Sequence, residues 1–114
     1  MGRYFARKTV CALGHKHAST REAARCAELH MLFRAGKIDA LAFEPRYEFS
    51  TERGPIKMGN GATMRFTPDF SYIENGKVVV EDVKSKTGFT ERDFPLRAAL
   101  FRHLNPNVEL RIVK

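Results

Sequence analysis

Acidic residues are scarce in this chain of 114 residues: 13 Asp and Glu stand against 20 Lys and Arg, a formal net charge of +7. An imbalance of that size makes a polyanion the expected partner, nucleic acid ahead of an anionic membrane surface. Long hydrophobic runs are missing as well. No apolar stretch approaches the roughly 20 residues of a membrane-spanning helix. The polar start MGRYFARK also lacks the apolar core of a secretory signal. A cytoplasmic protein with no membrane partner is therefore expected. Cysteine is nearly absent: Cys11 and Cys26 could form one disulfide at most, and a reducing compartment argues against even that. With His15, His17 and His30 they supply the residue types of a zinc site, but the short Cys-x2–4-Cys knuckle of structural zinc sites is lacking. A buried thiol and ordinary polar histidines are the simpler reading. Repeats, low-complexity tracts and interdomain linkers are missing too.

What is present suits one domain spanning residues 1–114, with 43% hydrophobic and 29% charged residues. Residues 1–18 form a basic arm carrying Arg3, Arg7, Lys8 and Lys16, with no acid in the first sixteen positions. Such an arm either lies along phosphates or is simply solvated. Ser19-Thr-Arg-Glu22 matches a capping box, and Gly36 suits a helix C-cap. Between them Glu22, Cys26, Leu29 and Phe33 share a narrow helical stripe. Glu22 thus stands at the start of the core-facing side, either closing the cap or projecting over a sheet edge into a site.

Leu41, Phe43, Tyr47 and Phe49 alternate as in a half-buried strand interrupted by Pro45. Residues 50–64 read as a mobile Gly-rich loop, with Arg53 and Lys57 able to touch a ligand. Strands over 65–74 and 77–85 follow, joined by Asn75-Gly76, the strongest short hairpin signal because a type I′ turn needs two positive φ angles. A second helix from Phe94 or Pro95 to Leu104 is predicted to turn Leu96, Ala99, Leu100 and Leu104 inward and to leave Arg97 and Arg102 outside. Val108, Leu110 and Ile112 alternate in a last strand. The order is helix, three strands, helix, strand.

A two-residue turn at Asn75-Gly76 pairs Glu74 with Lys77, Phe70 with Glu81, and Asp69 with Asp82. Directly opposed side chains have Cβ atoms about 4.5–5.5 Å apart, where like charges repel, so a cation should lie between the two aspartates. The strand period of two puts Asp82 and Lys84 on one face and Glu81 on the other. Lys84 could neutralise the pair as a structural ion cluster, but such clusters are seldom more stable than apolar replacements. Paired carboxylates also make an oxygen site suited to Mg²⁺ or Mn²⁺ and to phosphate ligands. That is an arrangement for cleaving phosphodiesters.

Pro68-Asp69, twelve intervening residues and Asp82-Val83-Lys84 resemble the signature of the PD-(D/E)XK nuclease superfamily. The segments ASTREAARCAELHMLFRAGKI and LAFEPRYEF are similar to small phage-type members, including endonuclease I-like junction resolvases. The resemblance covers about Gly14 to the last residue. It implies an α/β fold with a restriction-endonuclease-like αβββαβ core, a mixed central sheet flanked by helices. It also implies catalytic roles for Glu22, Asp69, Asp82 and Lys84, and a Mg²⁺ or Mn²⁺ site formed by Glu22, Asp69, Asp82 and the Val83 carbonyl. Lys86, Arg92 and Arg97 would then contact phosphate.

The expected activity is divalent-metal-dependent endonucleolytic hydrolysis of DNA. Two alternatives stand beside it: a structure-specific Holliday-junction resolvase, and a non-catalytic basic nucleic-acid-binding module. One active site per small chain cuts one strand, so cutting two requires a homodimer or two encounters.

Overall fold

Capping decides where the first helix begins and ends. Ser19 is the N-cap of α1 (Thr20–Arg34), and its Oγ accepts the Glu22 N–H at 3.1 Å. At the far end Gly36 takes a φ of 75°. Its N–H bonds Phe33 O at 3.1 Å and the Lys37 N–H bonds Leu32 O at 2.9 Å, which satisfies carbonyls the helix would otherwise leave open. The computed structural model describes residues 9–10, 14, 16–17, 19–84 and 93–114. Ahead of α1, β1 (Thr9–Val10) and β2 (Lys16–His17) pair antiparallel within the segment expected to be an arm.

The main sheet has four strands: β3 (Asp39–Phe43), β8 (Phe70–Glu74), β9 (Lys77–Val83) and β10 (Val108–Val113). Their spatial order is β10-β9-β8-β3, with β10 parallel to β9 and the other two pairings antiparallel. The fold is therefore mixed α/β with a mixed central sheet and two helices. The β8–β9 turn has φ of 52° at Asn75 and 79° at Gly76, as a type I′ turn requires. Five pairs follow in the expected register, from Glu74↔Lys77 to Phe70↔Glu81.

Alternation along β9 sends successive side chains to opposite layers. On one face Val79 packs with Phe70, Tyr72 and Ile38 against Ala23, Cys26 and Leu29 of α1. On the other, Val80 and Leu110 pack with Phe49 and Phe66 against Ala98 and Phe101 of α2 (Phe94–Leu104). Each fully buried Leu, Val or Phe contributes roughly 1.5–3 kcal/mol. Cys26 is a buried thiol in the first of these layers.

Three local expectations are corrected. The inward face of α2 is set by Ala98 and Phe101, while Leu96 is 64% exposed and Ala99 is also exposed. Leu100 and Leu104 do pack against that layer, as expected, but the Phe101 ring, set edge-on against Tyr47, takes the centre of the face and leaves Leu96 and Ala99 outside it. The strand expected over 41–49 is split, because β4 (Tyr47–Glu48) leaves the main sheet to pair with β7 (Arg65–Phe66). Residues 50–64, expected to be irregular, fold back on themselves. β5 (Ser50–Thr51) pairs with β6 (Gly54–Pro55), and Lys57 bridges to Thr63. Backbone bonds of 2.8–2.9 Å link Phe49, Ile56 and Met64 in a closed circuit. Buried Phe49 and Phe66 anchor this excursion to the layer beneath α2.

Candidate active site

The β8–β9 register breaks at the residue where the two aspartates were expected to face each other. Instead of joining the ladder opposite Asp82, Asp69 gives its N–H to Glu81 O at 3.0 Å, while its Oδ2 accepts the Val83 N–H at 2.7 Å. Its carbonyl takes the Glu44 N–H at 2.9 Å. Pro68 just before it has no N–H to extend the ladder, and a side-chain oxygen replaces a backbone one. The offset also relieves direct opposition of like charges.

Asp69 still meets its expected partners. Glu22 reaches it from the first turn of α1 with a side-chain hydrogen bond, and the charges of Glu22 and Asp82 both bear on it. Glu22 and Asp82 are buried, 5% and 8% exposed. Lys84 places its Nζ 2.7 Å from Asp82 Oδ2 and 3.6 Å from the centre of the Phe94 ring, at the start of α2. The four side chains thus gather where β9 ends, between the N-terminal ends of the two helices. The cap at Ser19 is completed by the backbone of Glu22, which leaves its carboxyl to Asp69.

Electrostatics follow from that crowding. Burial pushes the Asp69 carboxyl up to about 8, against the opposing pull of the Val83 N–H, and the neighbouring charges of Asp82 and Glu22 raise it further. At neutral pH a proton therefore occupies the place of a cation, and Lys84 supplies the other positive charge. Among the described residues no three His, Cys, Asp or Glu side chains stand as a ready-made ligand set, because Asp69 turns to Val83 and Asp82 to Lys84. The donor chemistry nevertheless fits a hard divalent ion: three carboxyls, all oxygen, whose excess negative charge one lysine does not cancel.

The neighbouring glutamate has a different employment. Glu81 is fully buried on the α1 face, where Arg25 Nε and Nη2 reach its two oxygens at 2.8 and 2.6 Å. The Tyr72 hydroxyl also donates to Oε2, and burial together with that bond pushes Tyr72 up to about 12. Arg111 continues the chain, from Tyr72 at 3.1 Å to Glu74 at 2.9 Å and on to Glu109. Sequence reasoning missed this network. Its signal was the parity of β9, which puts an acid on a face covered by a helix and so demands a cation from that helix. Glu81→Gln is expected to destabilise the protein by about 2 kcal/mol, because one charge of a buried pair is left behind. Denaturant melts should show this while any cleavage persists; loss of cleavage with unchanged stability would place Glu81 in the site instead.

The expected phosphate contacts are distributed unevenly. Arg53 is exposed in the β5–β6 turn, and Lys57 Nζ rests on Thr63 Oγ1 at 2.9 Å. Arg97 is engaged internally, 2.9 Å from Asp93 Oδ2 and bonded to the Arg65 carbonyl. It holds Asp93 below the usual carboxylate range. Arg3, Arg7, Lys8, Lys86 and Arg92 lie outside the described residues, and of Lys16 only the backbone is described.

Residues 1–114, the whole chain, match a family described as "Protein of unknown function (DUF1064)". The chain belongs to the DUF1064 family. No curated protein and no solved structure gives a match. Within this DUF1064 protein, no described helix is long and apolar enough to cross a membrane.

Proposed function

We propose that this chain is a divalent-metal-dependent DNA endonuclease with a restriction-endonuclease-like core. The observation that carries the reading is the meeting of Glu22, Asp69 and Asp82 with Lys84 at the end of a central strand, in a protein of net charge +7. Glu22, Asp69, Asp82 and the Val83 carbonyl would hold Mg²⁺ or Mn²⁺. When bound, the ion supplies Lewis acidity at the scissile phosphate and a more acidic water. To hold the ion Asp69 would have to release its proton to solvent. Lys84, backed by the Phe94 ring and tethered by Asp82, offers its ammonium to the attacking water or to the phosphate. Exposed Arg53 and Lys57 hold the strand through its phosphates.

A second reading has a specific observation behind it, since the Asp82–Lys84 ion pair is already closed. On that reading the cluster is structural and the protein is a basic nucleic-acid-binding module. Incubation with supercoiled, linear, single-stranded and four-way-junction DNA, in Mg²⁺ or in EDTA, separates the two. Cleavage in Mg²⁺ alone is expected, with affinity falling steeply as salt rises. Salt-dependent binding without cleavage of any substrate would leave only the binding module, and preference for the junction would make the enzyme a resolvase.

A further inference from the structure

On the α1 side of the sheet, beside the carboxylates, lies a cleft of about 190 Å³ lined by Arg21, Arg25 and Glu28 of α1, Val83 of β9, and Val113 and Lys114 at the end of β10. Its cations are not equally engaged. Arg25 is committed to Glu81 and lies 3.5 Å from Glu28. Arg21 and Lys114 form no ion pair among the described residues, and Arg21 Nε is buried with no hydrogen-bond partner. The wall has little to offer that group. The Val113 carbonyl is taken by the Lys84 N–H at 2.7 Å, and the Glu28 carboxylate is 65% exposed and turned to Arg25. A buried guanidinium N–H without an acceptor is costly, so the donor set calls for an anion from outside the chain.

We infer that this cleft binds a phosphate group of the nucleic-acid strand, beside the one to be cut, with Arg21 as the principal donor and Lys114 as the second charge. Two features select phosphate over other anions. A planar guanidinium fork matches phosphate oxygens, with an ammonium adding a point charge. The cleft also shares a wall with the candidate active site: Val83 lines it while its N–H holds Asp69. On the nuclease reading, the phosphate held there is a neighbour of the one at Asp69, which the Val83 peptide links to the cleft wall. The inference rests on the nuclease reading for the identity of the strand, although the cleft can be tested without metal.

The test uses the whole chain in EDTA, with inorganic phosphate followed by amide chemical shifts and short single strands, 5′-phosphorylated or 5′-hydroxyl, followed by fluorescence anisotropy. Phosphate should shift the amides of Arg21, Arg25 and Lys114. Arg21→Met should weaken strand binding about tenfold, the loss of one charge-assisted contact. Lys114→Met serves as a second variant at an exposed position outside both core layers, and it should weaken binding in the same direction. A 5′-phosphate preference that disappears in Arg21→Met identifies a terminal monoester as the ligand; equal weakening of both strands identifies an internal diester. Unshifted amides together with unchanged affinity in both variants would overturn the site. Phosphate binding here without magnesium-dependent cleavage would sink the nuclease reading alone, whereas cleavage with Arg21→Met binding as wild type would sink this inference alone.

Discussion

Asp82→Asn and Asp69→Asn should each remove magnesium-dependent cleavage yet move metal-free stability in opposite directions. Both lose an oxygen donor of the proposed ion site, whose contribution of several kcal/mol to the transition state corresponds to more than about a hundredfold in rate. In EDTA the two part company. Asp82 is the counter-ion of Lys84, whose side chain is only 13% exposed. Its amide leaves that ammonium without a carboxylate, at a cost of about 1–3 kcal/mol. Asp69 already carries a proton at neutral pH, and Asn reproduces that neutral form while its oxygen still accepts the Val83 N–H. Asp69→Asn should therefore melt at or above the wild-type temperature at pH 8, and Asp82→Asn about 4 °C or more below it. Nicking rates in Mg²⁺ and thermal melts in EDTA make the comparison. Full activity in Asp82→Asn would remove the site altogether.

The second large effect is a dependence on pH with an unusual sign. Asp69 has a folded pKa of about 8, raised first by burial, against an ordinary value of 3.8. Between those limits the folded protein binds more protons than the unfolded one, so stability is greatest at the acid end and falls as pH rises towards 8. The metal-free melting temperature should drop by about 4 °C or more from pH 5 to pH 8, and Asp69→Asn should flatten the slope. Asp93 and Glu109, held low by Arg97 and Arg111, act in the opposite sense, but only in more acid solution. Because the ion must displace the Asp69 proton, Mg²⁺ affinity should rise by up to about tenfold per pH unit until Asp69 is ionised. Calorimetric titrations at pH 6, 7 and 8 measure this directly. A magnesium affinity independent of pH, or an unaltered melting slope in Asp69→Asn, would show that the proton lies elsewhere.

How much of this could be read in the residues depends on the range of the interaction that decides each feature. Ser19, Gly36 and Asn75-Gly76 act within a few residues, and both the ends of α1 and five pairs of the β8–β9 ladder follow from them. The parity of β9, and with it the separation of Glu81 from Asp82, is equally local. The offset at Asp69 is not, because it depends on a carboxylate finding the Val83 N–H fourteen residues away. The pairing within residues 50–64 uses strands of two residues, too short to leave an alternation. The face of α2 is legible only in part, at Leu100 and Leu104, because helical spacing offers several apolar stripes, and only the packing of Phe101 and Ala98 with Val80 and Leu110 chooses among them.

Glu81 and Asp82 are consecutive, yet one is bound to a residue of α1 and the other, through Lys84, rests against the first residue of α2. A single peptide unit in the central strand therefore grips both helical layers. Local breathing that loosened either helix would strain the same short stretch of backbone, so the layers are poorly placed to open independently. The candidate chemistry is thus seated on the stretch that ties the two layers together, and on the proposed reading a nucleic-acid strand would reach it from the strand ends and not by parting the layers.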